Sequence, residues 1–106
     1  MFSIDQFYTS LVRPALFSQD PEVIHERTLA GLQQAERLGA LPAFRKLYAP
    51  PAGVERLQVS RFGLDFPSPI GVAAGLDKNA KVYNSLLAFG FGFVECGTVT
   101  PRPQSG

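Results

Sequence analysis

The chain has 106 residues, a net charge of only +1 and 45% apolar content. That is enough for a small packed core, but with no long basic run it is a poor basis for holding nucleic acid through its phosphates. One cysteine, Cys96, excludes an internal disulfide, one histidine, His25, cannot build a metal site by itself, and no apolar run approaches the roughly 20 residues that cross a bilayer. The nine prolines and ten glycines are dispersed, marking turns, and Met1 to Gln6, with Asp5 and no basic stretch leading into an apolar one, do not read as a signal peptide.

Ser3 and Gln6 stand at capping-box spacing, and Ile4, Phe7, Tyr8, Leu11 and Val12 follow at helical intervals. The pattern predicts a helix from Ile4 towards Val12, ended or kinked by Pro14. Asp20 is a good N-cap with Pro21 at the first helical position, and Gly39 suits the position just past a helix end. The second predicted helix therefore lies between them, with Ile24, Leu29, Leu32, Ala35 and Leu38 as its apolar band. A short third helix is expected over Ala43 to Tyr48, followed by a linker at Pro50, Pro51 and Gly53.

Beyond the linker the apolar period falls to two. Leu57 and Val59, then Leu64 and Phe66, alternate with polar residues and predict a hairpin turning near Arg61 to Gly63. Ile70 to Ala74 reads as a buried strand. Asp77 is placed to cap a helix from Lys78 to Phe89, apolar at Val82, Leu86 and Phe89 and ended by Gly90. A second strand fits Phe93 to Val99 before Pro101 and Pro103. Strand, helix, strand is a βαβ unit with parallel strands. One such unit cannot cover both faces of a sheet, so the expectation is a piece of a larger α/β domain.

Chemistry concentrates in two segments. In Gly71-Val72-Ala73-Ala74-Gly75-Leu76-Asp77-Lys78-Asn79, small residues let a flat ligand approach the backbone, and Lys78 puts a cation at a strand's C-terminal end. A tight βα turn with a solvated lysine accounts for the same residues equally well. The G-x-G-x-x-G dinucleotide fingerprint and the Walker loop are both absent. In Phe91 to Gln104, Thr98 offers a hydroxyl at a strand end, though a threonine in a strand is more often a simple β-former. Cys96 reads as a small core residue.

Ala-Ala-Gly-Leu-Asp-Lys-Asn at 73 to 79, Gly-Phe-Gly-Phe-Val-Glu-Cys-Gly-Thr-Val-Thr-Pro-Arg-Pro-Gln at 90 to 104, and Arg-Pro-Ala-Leu-Phe-Ser-Gln-Asp-Pro-Glu-Val-Ile-His at 13 to 25 together resemble the dihydroorotate dehydrogenases, the last segment being similar to their membrane-associated class 2 branch. The resemblance implies an α/β fold. Residues 1–49 would be an N-terminal helical extension for quinone access and membrane contact. Residues 50–106 would be the start of an FMN-binding (β/α)8 TIM barrel, comprising its first hairpin and first βαβ unit.

It also implies a flavoprotein that oxidises dihydroorotate to orotate with a membrane quinone as acceptor, in pyrimidine biosynthesis. Such an enzyme would sit peripherally on the cytoplasmic side of the bacterial inner membrane. Ala74, Gly75, Leu76, Asp77, Lys78 and Thr98 match the family's flavin contacts, and Lys78 also matches its substrate-touching lysine. The catalytic base is expected beyond Gly106, so this piece would be inactive alone. Phe2, Phe7, Leu11, Leu16, Phe17, Ile24, Leu29 and Leu32 are material for the quinone slot, and Arg13, Arg27, Arg37, Arg45 and Lys46 for anionic headgroups. His25 is expected to be structural, bonded to a neighbour. Lys81 stands where many relatives carry an acidic residue. Two rivals remain at this point: a soluble relative passing electrons to fumarate or NAD, which usually lacks the helical extension, and a non-catalytic membrane- or partner-binding helical module, which leaves the 73–79 loop unexplained.

Overall fold

A computed structural model of the chain describes residues 3–104. Phe2, expected in the quinone slot, lies outside them. In chain order the described elements are α1 (Ile4–Phe7), a π-helical turn (Tyr8–Val12), α2 (Arg13–Phe17), α3 (Pro21–Arg37), α4 (Leu41–Leu47), a 3-10 turn (Val54–Leu57), β1 (Val59–Arg61), β2 (Leu64–Phe66), β3 (Gly71–Val72), α5 (Tyr83–Ala88) and β4 (Phe93–Val94). Helices, hairpin and βαβ unit thus follow in the expected order, as a mixture of helix and two small sheets.

The first helix is opened by the expected capping box. Gln6 N–H donates to the Ser3 hydroxyl, and the Gln6 side chain accepts from Ser3 N–H, both at 3.2 Å. It does not stop near Val12. Pro14 lacks an N–H, and its ring crowds the carbonyl one turn back. The π turn widens the helix there: Arg13 N–H reaches Tyr8 O, five residues back, and the joining residues keep right-handed helical angles, so the helix runs on to Phe17.

Helix α3 is specified at both ends. Asp20 Oδ1 accepts from Glu22 N–H at 2.9 Å and from Val23 N–H at 3.4 Å, with Pro21 in the first turn. At the other end Gly39 (φ 82°) closes a Schellman motif, with Gly39 N–H on Glu36 O and Ala40 N–H on Ala35 O. Leu38, expected in the apolar band, is the C-cap residue and is 78% exposed, because the chain leaves the helix there. Helix α4 starts earlier than expected, at Leu41. Pro42 falls in its first turn, where a missing N–H is harmless.

In the antiparallel hairpin Val59 pairs with Phe66 and Arg61 with Leu64. Phe62 and Gly63, both at positive φ (57° and 74°), form the two-residue turn that such strands favour. Strands β3 and β4 are parallel, Gly71 beside Phe93 and Val72 beside Val94. Bonds from Gly92 N–H to Ile70 O and Glu95 N–H to Val72 O extend the ladder by one step at each end. Both strands are shorter than the expected 70–74 and 93–99, because Gly75 (φ 112°) and Gly97 (φ 124°) turn the backbone out of the sheet. Two close approaches hold the unit together. A Cβ on Gly71 would stand 2.4 Å from the Phe93 ring, and one on Gly92 would stand 2.0 Å from the Ser68 carbonyl oxygen.

Helix α5 departs most from expectation. It begins at Tyr83, not Lys78. The carboxylate of Asp77, 1% exposed, accepts from Lys81 N–H at 2.7 Å and from Val82 N–H at 2.9 Å. Those donors are thereby held in a non-helical loop, with Ala80 at φ 54°. The N-cap residue of α5, Val82, has no side-chain acceptor to offer. That acceptor comes from α3: Glu36 Oε1 receives Ser85 N–H at 2.9 Å and the Ser85 hydroxyl at 2.7 Å. A carboxylate also suits the positive end of a helix.

The core is small. Leu29 of α3 meets Val82 and Leu86, with Leu32, Val72, Phe89, Phe91 and Val94 packed around them. Helix α4 closes on α5 through Phe89, whose ring lies 4.9 Å from that of Phe44 and 5.1 Å from that of Tyr48. Cys96, read as a core residue, is exposed: it lies past the end of β4, beside an open hollow lined by Leu64, Phe66 and Tyr83.

Candidate functional site

Two glycines join the segments that carry the chemistry. Gly75 N–H donates to Gly97 O at 2.8 Å, and Gly97 N–H to Asp77 O at 3.4 Å, so the loop after β3 is laced to the segment after β4. Between them lies a cleft of about 630 Å³ that includes Gly75, Lys78, Asn79, Thr98, Thr100 and Arg102 in its lining. Three of the six expected contact residues, Gly75, Lys78 and Thr98, therefore meet on one cavity. Ala74 and Leu76 belong to the same loop but not to that lining. Asp77 is turned inward, its carboxylate spent on Lys81 and Val82, which makes it the loop's internal brace.

Two further hollows follow from the first, one beside it and one beyond that. One, of about 300 Å³, lies where Glu22, His25, Glu26 and Leu29 of α3 face Gly75, Asp77, Lys78, Asn79 and Lys81. The other, of about 290 Å³, is an almost wholly apolar groove of Leu16, Phe17, Ile24 and Pro21, with Gln19 and His25 at its rim. Pro21 and His25 border both of these, while Gly75, Lys78 and Asn79 border both the middle hollow and the large cleft. The series therefore runs from an apolar groove to a cationic cleft.

Of the residues expected to form an apolar slot, Leu16, Phe17 and Ile24 do line the groove. Leu29 is buried at the floor of the middle hollow, Leu32 packs on the core, and Phe7 and Leu11 point to solvent on α1 and the π turn. His25 is not tied to a neighbour as expected. Among the described residues its ring has no hydrogen-bond partner, and it stands where groove and hollow meet. Asn79 and Arg102 are lining residues that motif reading passed over. For Arg102 a signal exists: prolines on both sides restrict the backbone, and the Thr100 hydroxyl donates to its carbonyl at 2.7 Å. Among the described residues no group of three His, Cys, Asp or Glu could hold a metal ion.

The cleft fits a flat, partly anionic ligand. A Cβ built on Gly75 would meet nothing within 4 Å, so the missing side chain leaves backbone open to close approach. Lys78 and Arg102 supply donors and positive charge, and Thr98 adds a hydroxyl.

A family model described as Dihydroorotate dehydrogenase matches residues 56–106. A protein of Methylococcus capsulatus named "Dihydroorotate dehydrogenase (quinone)" is 51% identical over 100 residues, covering 93% of this chain and 27% of that protein. Another of the same name, from Polynucleobacter asymbioticus, is 50% identical over 103 residues, 97% of this chain and 28% of that protein. Among solved structures, DHODH from Eimeria tenella in complex with ferulenol superposes with a TM-score of 0.57 at 40% identity, over 80% of this chain and 20% of that one. The chain thus spans a little over a quarter of the length of these two curated relatives.

Proposed function

Given that the chain belongs to the dihydroorotate dehydrogenase family, we propose that it is part of an FMN-dependent enzyme oxidising dihydroorotate to orotate in pyrimidine biosynthesis, with a membrane quinone as electron acceptor. In this reading residues 50–106 begin a (β/α)8 barrel, and residues 1–49 form the quinone-access and membrane-contact segment. The observation that carries it is the succession of three hollows with shared lining residues, from the apolar groove beside α3 to the cleft of Gly75, Lys78 and Thr98. The quinone-type acceptor is favoured over a soluble one because identity near 50% extends over 93–97% of the chain, helices included.

The flavin would supply two-electron redox chemistry that no side chain here can perform. Gly75 leaves room for its ring against the backbone, and Thr98 offers it a hydrogen bond. Lys78 supplies a fixed cation for the orotate carboxylate or for negative charge on the ring. Asp77 holds the loop in shape from beneath. Turning the CH–CH bond of dihydroorotate into C=C releases two electrons and two protons, and a quinone becoming a quinol takes up two of each. No residue among those described is assigned the proton-abstracting role.

Docking is proposed at the cytoplasmic face of the bacterial inner membrane. No helix among the described residues is long and apolar enough to cross it. Ile4, Phe7, Tyr8 and Leu11 leave an apolar, exposed stripe on the first helix, with Arg13 nearby.

The test is a truncation of the intact enzyme. Removing residues 1–48 would uncover Val82 and Leu86 and strip Ser85 of its acceptor, so the cleaner cut ends at Ser18 and keeps α3. Flavin bleaching by dihydroorotate in stopped flow should persist. Reoxidation by a long-chain quinone and co-sedimentation with anionic vesicles should both fall sharply. A folded, flavin-loaded truncate that uses lipophilic quinone at the full rate would overturn the quinone assignment.

A further inference from the structure

We infer that Glu36 is a positioning residue for the electron acceptor: by bonding Ser85 it sets the angle at which α3 lies over the cleft loop, and so the alignment of the apolar groove with Lys78. This rests on the proposed quinone reading.

Glu36 is the polar link between the two halves of the molecule. Among the described residues, its bonds to Ser85 N–H and the Ser85 hydroxyl are the hydrogen bonds that join residues 3–48 to residues 59–104. Beside that bond, α3 packs on the βα unit through Leu29 and Leu32 against Val82 and Leu86, while Glu22, His25 and Glu26 face Lys78, Asn79 and Lys81 across an open hollow. Apolar packing holds two surfaces together without strongly fixing their rotation, whereas a hydrogen bond fixes direction. Ser85 is 0% exposed and its amide lies in the first turn of α5, whose N-cap supplies no acceptor, so this contact is costly to lose or to re-form elsewhere.

The lever is long. Glu36 lies near the C-terminal end of α3, and His25 and Pro21, which border the groove, lie towards the other end. At 1.5 Å per residue, His25 is roughly 16 Å along the axis from Glu36, so a tilt of about 5° there moves it by roughly 1.4 Å. A displacement of about 1 Å at a reacting pair is known to cost up to two orders of magnitude in rate. The cleft itself is insulated from such a tilt. Gly75 is held by Gly97, and Lys81 and Val82 by Asp77, in bonds that α3 does not share.

The intact flavoenzyme carrying Glu36→Ala should show a 5- to 10-fold rise in KM for a long-chain quinone (about 1–1.4 kcal/mol) and flavin reduction by dihydroorotate within twofold of wild type. Hydrogen exchange should rise at the Ser85 amide and along α3, while the Lys81 and Val82 amides stay protected. Glu36→Gln keeps an acceptor oxygen and should restore most of the quinone KM. Ser85→Ala, which removes only the hydroxyl, should lie between, and it serves if Glu36→Ala fails to fold. Equal losses in both half-reactions, or raised exchange throughout the loop, would make Glu36 merely structural and overturn the inference. So would an unchanged quinone KM in all three variants. A wild-type enzyme that reduces no quinone would instead sink the functional reading beneath it.

Discussion

Helix α3 begins just after Asp20 and ends just before Leu38 and Gly39 because a side chain and a glycine within three positions of its ends satisfy its backbone. Helix α5 begins where a carboxylate 49 positions away meets its first turn. The same contrast runs through the two halves. Residues 4–47 are mostly helix, yet Leu29 is the sole residue of their helices that is buried. Residues 59–104 have little regular structure, yet they contain Asp77, Val82, Ser85, Leu86 and Ala88, all buried. Regular hydrogen bonding and burial are thus specified separately here: the first by near neighbours, the second by residues brought together from afar. The cleft of Gly75, Lys78 and Thr98 lies in the half fixed at long range.

The contrast is best attacked at Gly92. An added Cβ there collides with the backbone oxygen of Ser68, which cannot swing aside. Gly92→Ala in the intact enzyme should therefore lose roughly 3 kcal/mol of stability, read from the urea midpoint at constant slope. A midpoint equal to wild type would show that the long-range fit is loose. Asp77→Ala comes next. It leaves the Lys81 and Val82 amides without their acceptor, which should remove roughly 2–3 kcal/mol and lower flavin retention. Asp77→Asn keeps an acceptor for one amide but turns an NH2 donor towards the other, so it should recover only part of the loss; a variant as stable as wild type would show that the second bond contributes little.

Lys78→Ala probes chemistry in the same half without touching its brace. Losing a charged hydrogen bond of about 1.5–3 kcal/mol predicts a roughly 10- to 150-fold loss in dihydroorotate turnover with flavin still bound. Steady-state kinetics near wild type would reduce Lys78 to a solvated side chain. The smallest effect belongs to the locally specified half. Gly31 is exposed within α3, and an added Cβ meets nothing within 4 Å. Gly31→Ala should raise stability by about 0.5–1 kcal/mol in the same unfolding assay. A destabilising result would mean that α3, too, answers to distant packing.

What could be read from the sequence follows the same division. The capping box at Ser3 and Gln6, the caps of α3 and the hairpin at Phe62-Gly63 were legible because their causes lie within a few residues. Gly75, Lys78 and Thr98 were singled out by resemblance to the family's flavin contacts, the residues alone having left a solvated lysine and a simple β-former open; the fold brings the three onto one cleft. The late start of α5 was not. Asp77 looks like a helix cap, and only the fold shows its carboxylate drawn inward to serve Lys81 and Val82. His25 at the groove's rim was hidden for a related reason, since a lone histidine announces nothing until Leu16 and Lys78 stand on either side of it. Pro14 left two outcomes open, an end or a kink, and the fold takes neither a stop nor a break in helical angles: a π turn over Tyr8–Val12 absorbs the proline and the helix goes on to Phe17.

The Glu36–Ser85 bond also sets an order of events in time. A helix of α3's length forms in about 0.1–1 μs. During synthesis at about 5–20 residues per second, Ser85 leaves the ribosome roughly 2–10 s after Glu36. For those seconds every residue of α3 has been made, while the surface that will cover Leu29 and satisfy Glu36 is still to come. Whatever lies beside the ribosome, a membrane or a chaperone, meets the apolar side of this helix before the helix's own partner does.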